Sequence, residues 1–131
     1  MRPACAECGP RTGVDAVVGD VIYPHRPELA RRWFWRCVVC GAYVGCHRGT
    51  LQPLGTCAGP ELRRMRNLAH SVFDRLWRGK RKTARSAAYA WMAKTMGLTP
   101  EEAHIGLFSI EQCRVLINHV AARREQEDSD R

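Results

Sequence analysis

Two short cysteine motifs constrain this chain more than any other feature. CAECG at 5–9 and CVVCG at 37–41 are two copies of the pattern CxxCG, and 28 residues lie between Cys8 and Cys37. A two-residue gap lets both sulfurs of a tight turn converge on one ion, and the glycine permits the positive backbone dihedral that follows. Two such turns complete a tetrahedral site with Zn–S distances of roughly 2.3 Å. We therefore predict one Zn²⁺, bound by Cys5, Cys8, Cys37 and Cys40.

The predicted zinc is structural. A site closed by four cysteines has no open position for water, so its metal stabilises the fold and does not catalyse. The alternative is that each CxxC is a redox pair, but such pairs open a helix in a βαβ setting, and neither pair here is followed by a helical pattern. The total of seven cysteines is odd, and in the reducing compartment that we expect, paired cysteines are better explained as metal ligands than as disulfides.

Three cysteines and a histidine lie outside this set. The segment GAYVG carries Cys46 and His47 along the outgoing strand, away from the ion. Neighbouring strand residues point to opposite faces, so we expect Cys46 inside and His47 exposed. The alternative is that His47 and Arg48 touch a phosphate or a reacting group. Cys57 has no assigned role, and Cys113 is expected in a helix core.

The rest of the pattern predicts an α+β chain, with a small antiparallel sheet of zinc-ribbon type followed by a bundle of three to four helices. Alternation in VDAVVGDVIYPH and the runs around CVVC predict the strands. Apolar residues recur at helical spacing over 60–78 and 83–96. Capping-box spacing at 99–102 and at 109–112 predicts two further helix starts, one short and one long.

Three segments are expected along the chain. Residues 1–58 form the zinc-ribbon-like module, residues 59–125 form a helical region packed on it as one compact unit, and residues 126–131 form a disordered acidic tail. No run of about 18 uncharged apolar residues is present, so no membrane-spanning helix is expected. The N-terminus also lacks the apolar stretch of a secretory signal, and we expect the protein in the cytoplasm.

Positive charge is concentrated in the middle of the chain. Residues 60–82 carry eight Lys or Arg against two acids, whereas residues 83–131 carry six against seven. Such a segment releases counterions from phosphates, and aromatic residues near the metal offer stacking faces for bases. The residues predicted to bind nucleic acid are Arg63, Arg64, Arg66, Arg75, Arg78, Lys80, Arg81, Lys82, Trp33, Trp35, His47 and Arg48.

Each of these observations has a plainer explanation. Trp33 and Trp35 share a strand face and alternatively cap the small core, and a basic helix can simply be a solvated face. The predominance of arginine over lysine suits bidentate phosphate contacts, but it is equally consistent with a GC-rich genome.

Five stretches carry a resemblance to a known family. The chain resembles the small zinc-finger-containing proteins of unknown function encoded by bacteriophages and prophages, over about residues 5–113. The stretches that carry it are WRCVVCGAYVGCH, LGT, ELRRMRNLAHSVFDRLW, AYAWMAKTMGL and HIGLFSIEQC. The resemblance implies a zinc-ribbon-like N-terminal part and a bacterial or phage setting. It carries no established activity and assigns no catalytic residue.

Three functions follow as hypotheses. The first is a non-catalytic module that binds nucleic acid mainly through phosphates, because no pattern for sequence-specific reading is present. The second is an adaptor that binds a host or phage protein. The third is a metal-dependent nuclease that uses His47, or His70 with Asp74 one helical turn away, with His104 as a further candidate. For His70 the alternative is a partly buried ring hydrogen-bonded to Asp74.

Overall fold

The computed structural model describes residues 2–130 and divides the chain into two compact units, Met1–Arg63 and Arg64–Arg131. The first unit contains a three-stranded antiparallel sheet in the order β1-β2-β3, formed by β1 (Val14–Val18), β2 (Trp33–Cys37) and β3 (Tyr43–Gly45). The chain then becomes helical. This order confirms the predicted α+β fold with a small N-terminal sheet.

One face of β2, the face that carries Trp35 and Cys37, contributes to the core of the first unit. Val14 pairs with Cys37 across the β1–β2 ladder, and Ala16 pairs with Trp35, so these side chains share one face of the sheet. Cys5 and Cys57 pack on that face from outside the strands. The sheet therefore buries Cys37 of its own strand β2, together with Cys5 and Cys57 from the flanking segments. The buried residues of this cluster are Cys5, Val14, Trp35, Cys37, Ala42 and Cys57.

The connection from β1 to β2 contains short helical turns. α1 (Gly19–Ile22) is a single turn directly after β1, and a 3-10 turn follows at Pro27–Leu29. The observed strand β1 is therefore shorter than the alternating segment VDAVVGDVIYPH that predicted it. The backbone N–H of Gly19 donates to the carbonyl of Arg32 at 2.7 Å. This bond closes the connection between β1 and β2 directly beside the two strands.

The basic helix α2 (Pro60–Phe73) is shorter than the predicted helix over 60–78. It gives way to a 3-10 turn at Asp74–Leu76. The carboxylate of Asp74 accepts hydrogen bonds from the indole N–H of Trp77 at 3.2 Å and from the guanidinium of Arg78 at 3.2 Å. Through these contacts Trp77 and Arg78 fold back on Asp74, and the α-helix does not continue beyond Phe73.

The last two helices begin and end close to the predicted positions. α3 (Lys82–Met96) ends at Gly97, which adopts the left-handed conformation expected of its cap. α4 (Ile110–Ser129) begins with the predicted capping box, in which Ser109 and Gln112 bond to each other's backbone. The same reciprocal bonds form between Thr99 and Glu102, but a turn follows them instead of a helix.

The second unit has its own apolar core, drawn from α2, α3, α4 and the segment between α3 and α4. Its buried residues are Ala69, Phe73, Leu76, Ala88, Met92, Ala93, Ala103, Ile105, Phe108, Cys113, Leu116 and Val120. Cys113 lies in this core, as its helical position predicts. In residues 2–130, no helix is long and apolar enough to cross a membrane.

The acidic end of the chain differs from the expected disordered tail over 126–131. α4 continues to Ser129, and the guanidinium of Arg123 bonds to Glu127 at 3.2 Å one turn later. Such i,i+4 pairs favour helix, which explains why a polar sequence is helical here. Arg131 lies outside the described residues.

The division between the units falls within α2, after Arg63, instead of the expected residue 58. Packing of the helical region on the ribbon stays a prediction.

Candidate metal centre and basic surfaces

The first cysteine turn is held in place from the far end of the unit. The N–H of Ala6 donates to the carbonyl of Cys57, and the N–H of Cys57 donates to the carbonyl of Ala4, each at 2.9 Å. Within the turn, the N–H of Cys8 points at the sulfur of Cys5 at 3.4 Å. Gly9 closes it with a φ of 101°, a backbone conformation that side-chain-bearing residues rarely adopt.

The second turn leaves the end of β2. The N–H of Gly41 donates to the carbonyl of Cys37 at 3.1 Å, and the N–H of Ala42 points at the sulfur of Cys40 at 3.4 Å. Gly41 has a φ of 78°, so both copies of the motif use their glycine in the same way. The repeated geometry gives two matching turns, each presenting a pair of sulfurs.

The four sulfurs converge. All lie within 4.8 Å of one another, and the sulfurs of Cys5 and Cys40 are 3.6 Å apart. A tetrahedral zinc–thiolate site has sulfur–sulfur edges of about 3.8 Å, which follows from Zn–S bonds near 2.3 Å. Cys5 and Cys37 are buried, whereas Cys8 and Cys40 are exposed. The donor set and spacing fit one structural Zn²⁺, as predicted.

Thiol acidity in this cluster also points to a cation. The pKa of Cys37 is lowered to about 7, chiefly because its sulfur accepts from the backbone N–H of Cys40. The pKa of Cys8 is raised to about 12, chiefly by its hydrogen bond with Cys40 and then by partial desolvation of the thiolate. Four thiolates so close cannot form together without a compensating positive charge. A bound Zn²⁺ supplies that charge and keeps all four ligands deprotonated.

Cys46, His47 and Cys57 lie outside the metal site. Cys46 is half-buried against the cysteine-rich core, and His47 is exposed, as their neighbouring strand positions predict. Cys57 is fully buried, and its thiol donates to the carbonyl of Trp35 at 3.5 Å. Its backbone supports the first cysteine turn. Nothing in the sequence signals this role, because Cys57 lies 52 positions after Cys5.

Two residues of the first unit that were predicted to contact nucleic acid, Trp35 and Arg63, make contacts within the unit instead. Trp35 is buried, and its indole N–H donates to the carbonyl of Leu51 at 2.8 Å, so it has no free face for a base. Arg63 lies with its guanidinium 3.9 Å from the centre of the Tyr43 ring and donates to the carbonyl of Ala58 at 2.6 Å. These contacts join the start of α2 to the sheet.

The other three predicted residues of this unit lie in one region. Trp33 is 39% exposed, and its carbonyl accepts from the N–H of Cys46 at 3.2 Å, which brings β2 beside the start of the loop bearing His47 and Arg48. His47 and Arg48 are both exposed. A common surface of these three side chains stays a prediction.

Arg66 is the main correction in the second unit. Its side chain is only 7% exposed, and its guanidinium donates to the carbonyl of Phe108 at 3.0 Å. It is a buried link between α2 and the segment before α4, not a phosphate ligand. Charge pattern alone could not identify it, because its neighbour Arg64 is exposed on the same helix.

The remaining predicted cations of this unit are exposed. They are Arg64, Arg75, Arg78, Lys80, Arg81 and Lys82. Sequence reasoning missed Arg85, which is also exposed and lies three residues into α3 beyond Lys82. Its guanidinium lies 4.9 Å from the centre of the Tyr89 ring. Arg85 and Tyr89 are four residues apart on a predicted helix, and this spacing was the signal that could have identified Arg85.

His70 and Asp74 are one helical turn apart but are not joined by a hydrogen bond. The nearest atoms of His70 and Asp74 are 3.8 Å apart, too far for a hydrogen bond, and Asp74 serves Trp77 and Arg78 instead. His104 contacts the ring of Tyr89, with ring centres 6.0 Å apart. Among residues 2–130, the four cysteines form the only His, Cys, Asp or Glu cluster that could hold a metal.

Comparison with protein families gives one match. Residues 2–123 match DUF3268, described as a zinc-finger-containing domain. The match includes both cysteine turns and extends through most of α4. Comparisons with curated proteins and with solved structures gave no match.

Proposed function

The chain belongs to the DUF3268 family of zinc-finger-containing domains, and from this premise we propose that it is a zinc-stabilised, non-catalytic nucleic-acid-binding protein. We place it among phage or prophage proteins that act in the cytoplasm of a bacterial host cell. Zinc thiolate ligands suit that reducing compartment. A metal held by four cysteines has no open position for water, which supports a structural role for the ion.

One observation carries the proposal. Six exposed cations fall within residues 75–85, and we call them the basic cluster: Arg75, Arg78, Lys80, Arg81, Lys82 and Arg85. Within the described residues, only Arg78 of the six forms an ion pair with a carboxylate, that of Asp74. Because so little of this charge is neutralised internally, it is available to phosphates.

The start of α3 adds to the same field. Helix N-termini carry partial positive charge and unpaired N–H groups. Arg81 caps α3 without a side-chain hydrogen bond, and the first turn contains no acid. The helix dipole therefore reinforces the cluster, where an acidic cap would oppose it. In the first unit, Trp33, His47 and Arg48 provide a smaller surface of the same character.

Salt dependence tests the proposal. Binding by phosphate contacts weakens with salt, with a logarithmic slope of about −0.9 per contact on duplex DNA and about −0.7 on single strands. We expect Arg81→Gln with Lys82→Gln to reduce the steepness of that slope by roughly 1.4 to 1.8. Fluorescence anisotropy on labelled DNA and RNA between about 50 and about 200 mM salt measures it.

The matched control is Arg114→Gln with Arg124→Gln, which removes the same charge from exposed positions of α4. The control should leave the slope nearly unchanged. Equal losses in the two double variants would show that only net charge matters. No binding of any nucleic acid by the wild-type protein at low salt would refute the proposal.

A protein-binding adaptor is the second candidate, and the tip of the second cysteine turn favours it. Val38 and Val39 are 59% and 73% exposed there, beside an open groove that Asp15, Val17 and Arg36 also line. A pull-down from nuclease-treated host lysate tests this function. Retention of a discrete partner by the wild-type protein, and its loss in Val38→Ser with Val39→Ser, would favour the adaptor.

A further inference from the structure

Two cations of the basic cluster lie beside an aromatic side chain, that of Trp77. Trp77 follows the 3-10 turn that ends α2, and it is half-buried at the edge of the second core. Its indole N–H is fixed on the carboxylate of Asp74 at 3.2 Å. The guanidinium of Arg78 lies 5.7 Å from its ring centre, and that of Arg85 lies 5.3 Å away. Trp77 is thus anchored by Asp74, and two cations of the basic cluster lie within 5.7 Å of its ring centre.

Arg85 contacts two rings at once. Its guanidinium carbon is 5.3 Å from the centre of Trp77 and 4.9 Å from the centre of Tyr89. Tyr89 is in turn held by Phe73, whose ring centre is 5.1 Å away in an edge-to-face arrangement. A planar guanidinium kept against aromatic faces retains N–H groups at its edge for a phosphate or a base. The two rings therefore orient Arg85 in advance of any ligand.

Such a surface suits unpaired bases. Single strands expose the flat faces of their bases, which stack on aromatic rings and on guanidinium planes, whereas a duplex hides those faces. Duplex DNA needs only the phosphate contacts that the lysines and arginines of the basic cluster offer. The placement of Trp77, Arg85 and Tyr89 among those cations combines both kinds of contact.

We infer that Trp77, Arg85 and Tyr89 form a stacking surface that makes the protein prefer single-stranded nucleic acid over duplex. This inference rests on the proposed function and adds a substrate class to it. The phosphates of the strand contact the cations of the basic cluster, and one or two bases stack on the aromatic and guanidinium faces.

Arg85→Lys tests the inference, because it keeps the charge and removes the planar group. The full-length zinc protein is titrated with an unstructured single strand of about 20 nucleotides and with a duplex of the same length. The variant should lose roughly 5- to 10-fold affinity for the single strand, with its salt slope and its duplex affinity unchanged. Arg123→Lys is the matched control, since Arg123 lies 4.9 Å from the ring centre of Trp91 outside the cluster.

Tryptophan fluorescence gives a second readout. A base stacked on Trp77 quenches its emission, so Trp77→Phe should lose the quenching that single strands cause, whereas Trp91→Phe should keep it. Equal affinity for single strand and duplex, or equal losses for both in Arg85→Lys, overturns this inference while the proposed function stands. Absence of all nucleic-acid binding at low salt overturns both.

Discussion

Cys8 and Cys40 are the two ligands of the tetrad that reach the surface, whereas Cys5 and Cys37 are buried in the core of the first unit. We expect Cys40→Ser to lower the zinc content from about one per chain to nearly none, because three sulfurs do not close a structural site. Metal binding and folding are coupled in such sites, so the amide spectrum of residues 2–63 should collapse with it.

Cys46→Ser is the control for this prediction. Cys46 is a half-buried cysteine that packs against the same core, but it lies outside the tetrad. It should retain one zinc. Metal analysis of both purified variants decides the matter, and a Cys40→Ser protein with full zinc would contradict the ligand assignment.

Arg66 gives a second prediction at the same scale. Replacing it with methionine keeps much of its volume but leaves the carbonyl of Phe108 without this donor. We expect the free energy of unfolding to fall by about 1–3 kcal/mol, the usual cost of an unsatisfied buried polar group. Arg64→Met, on the exposed side of the helix, should change it by less than about 0.5 kcal/mol. Urea denaturation compares them, and equal effects would contradict the structural role.

Individual residues also show the reach of sequence reasoning. The zinc ligands were predictable because each CxxCG turn is a local structure whose spacing alone brings two sulfurs together. Trp35 and Arg66 were not, because charge and alternation describe a side chain without revealing what will cover it. Burial of both depends on distant partners, namely the carbonyls of Leu51 and Phe108.

At the scale of elements, the capping box of α4 makes a local contribution to the free energy of unfolding that can be measured. The hydroxyl of Ser109 accepts from the N–H of Gln112 at 3.1 Å. Ser109→Ala should reduce the free energy of unfolding by about 1 kcal/mol, typical of a lost helix cap. Ser86→Ala is the control, because Ser86 is exposed and lies within α3, away from its ends. This substitution should be neutral or slightly stabilising, because alanine is the better helix former. Thermal denaturation of both variants tests this, and equal destabilisation would argue against the cap.

The same elements show where local signals stop. Periodicity predicted α3 and α4 closely, because their caps at Gly97 and Ser109 lie within one turn of the helix. It overextended α2, since the turn at Asp74 depends on Trp77 and Arg78 folding back. Thr99 and Glu102 form their capping bonds, yet no α-helix follows. A cap can satisfy backbone groups in a turn as well as at a helix start.

At the scale of the whole molecule, each unit has a separate core, and only the first contains the metal ligands. Removing zinc with a chelator should therefore unfold residues 2–63 while most of the helical circular dichroism signal persists. Hydrogen exchange should locate the loss in the sheet. The control is the same chelator already saturated with zinc. Loss of both units in one transition would contradict independent cores.

The contacts between the two ends of the first unit have a consequence for biosynthesis. Residues 4–6 pair with Cys57, and the carboxylate of Glu7 accepts from the N–H of Gly59 at 3.1 Å. All four ligands leave the ribosome before the segment that holds the first pair in position. We therefore expect a growing chain to bind zinc stably only when translation has passed the start of α2. Until then the cysteines of 5–8 belong to an open loop, whose closure costs entropy that the 57–59 contacts help to offset.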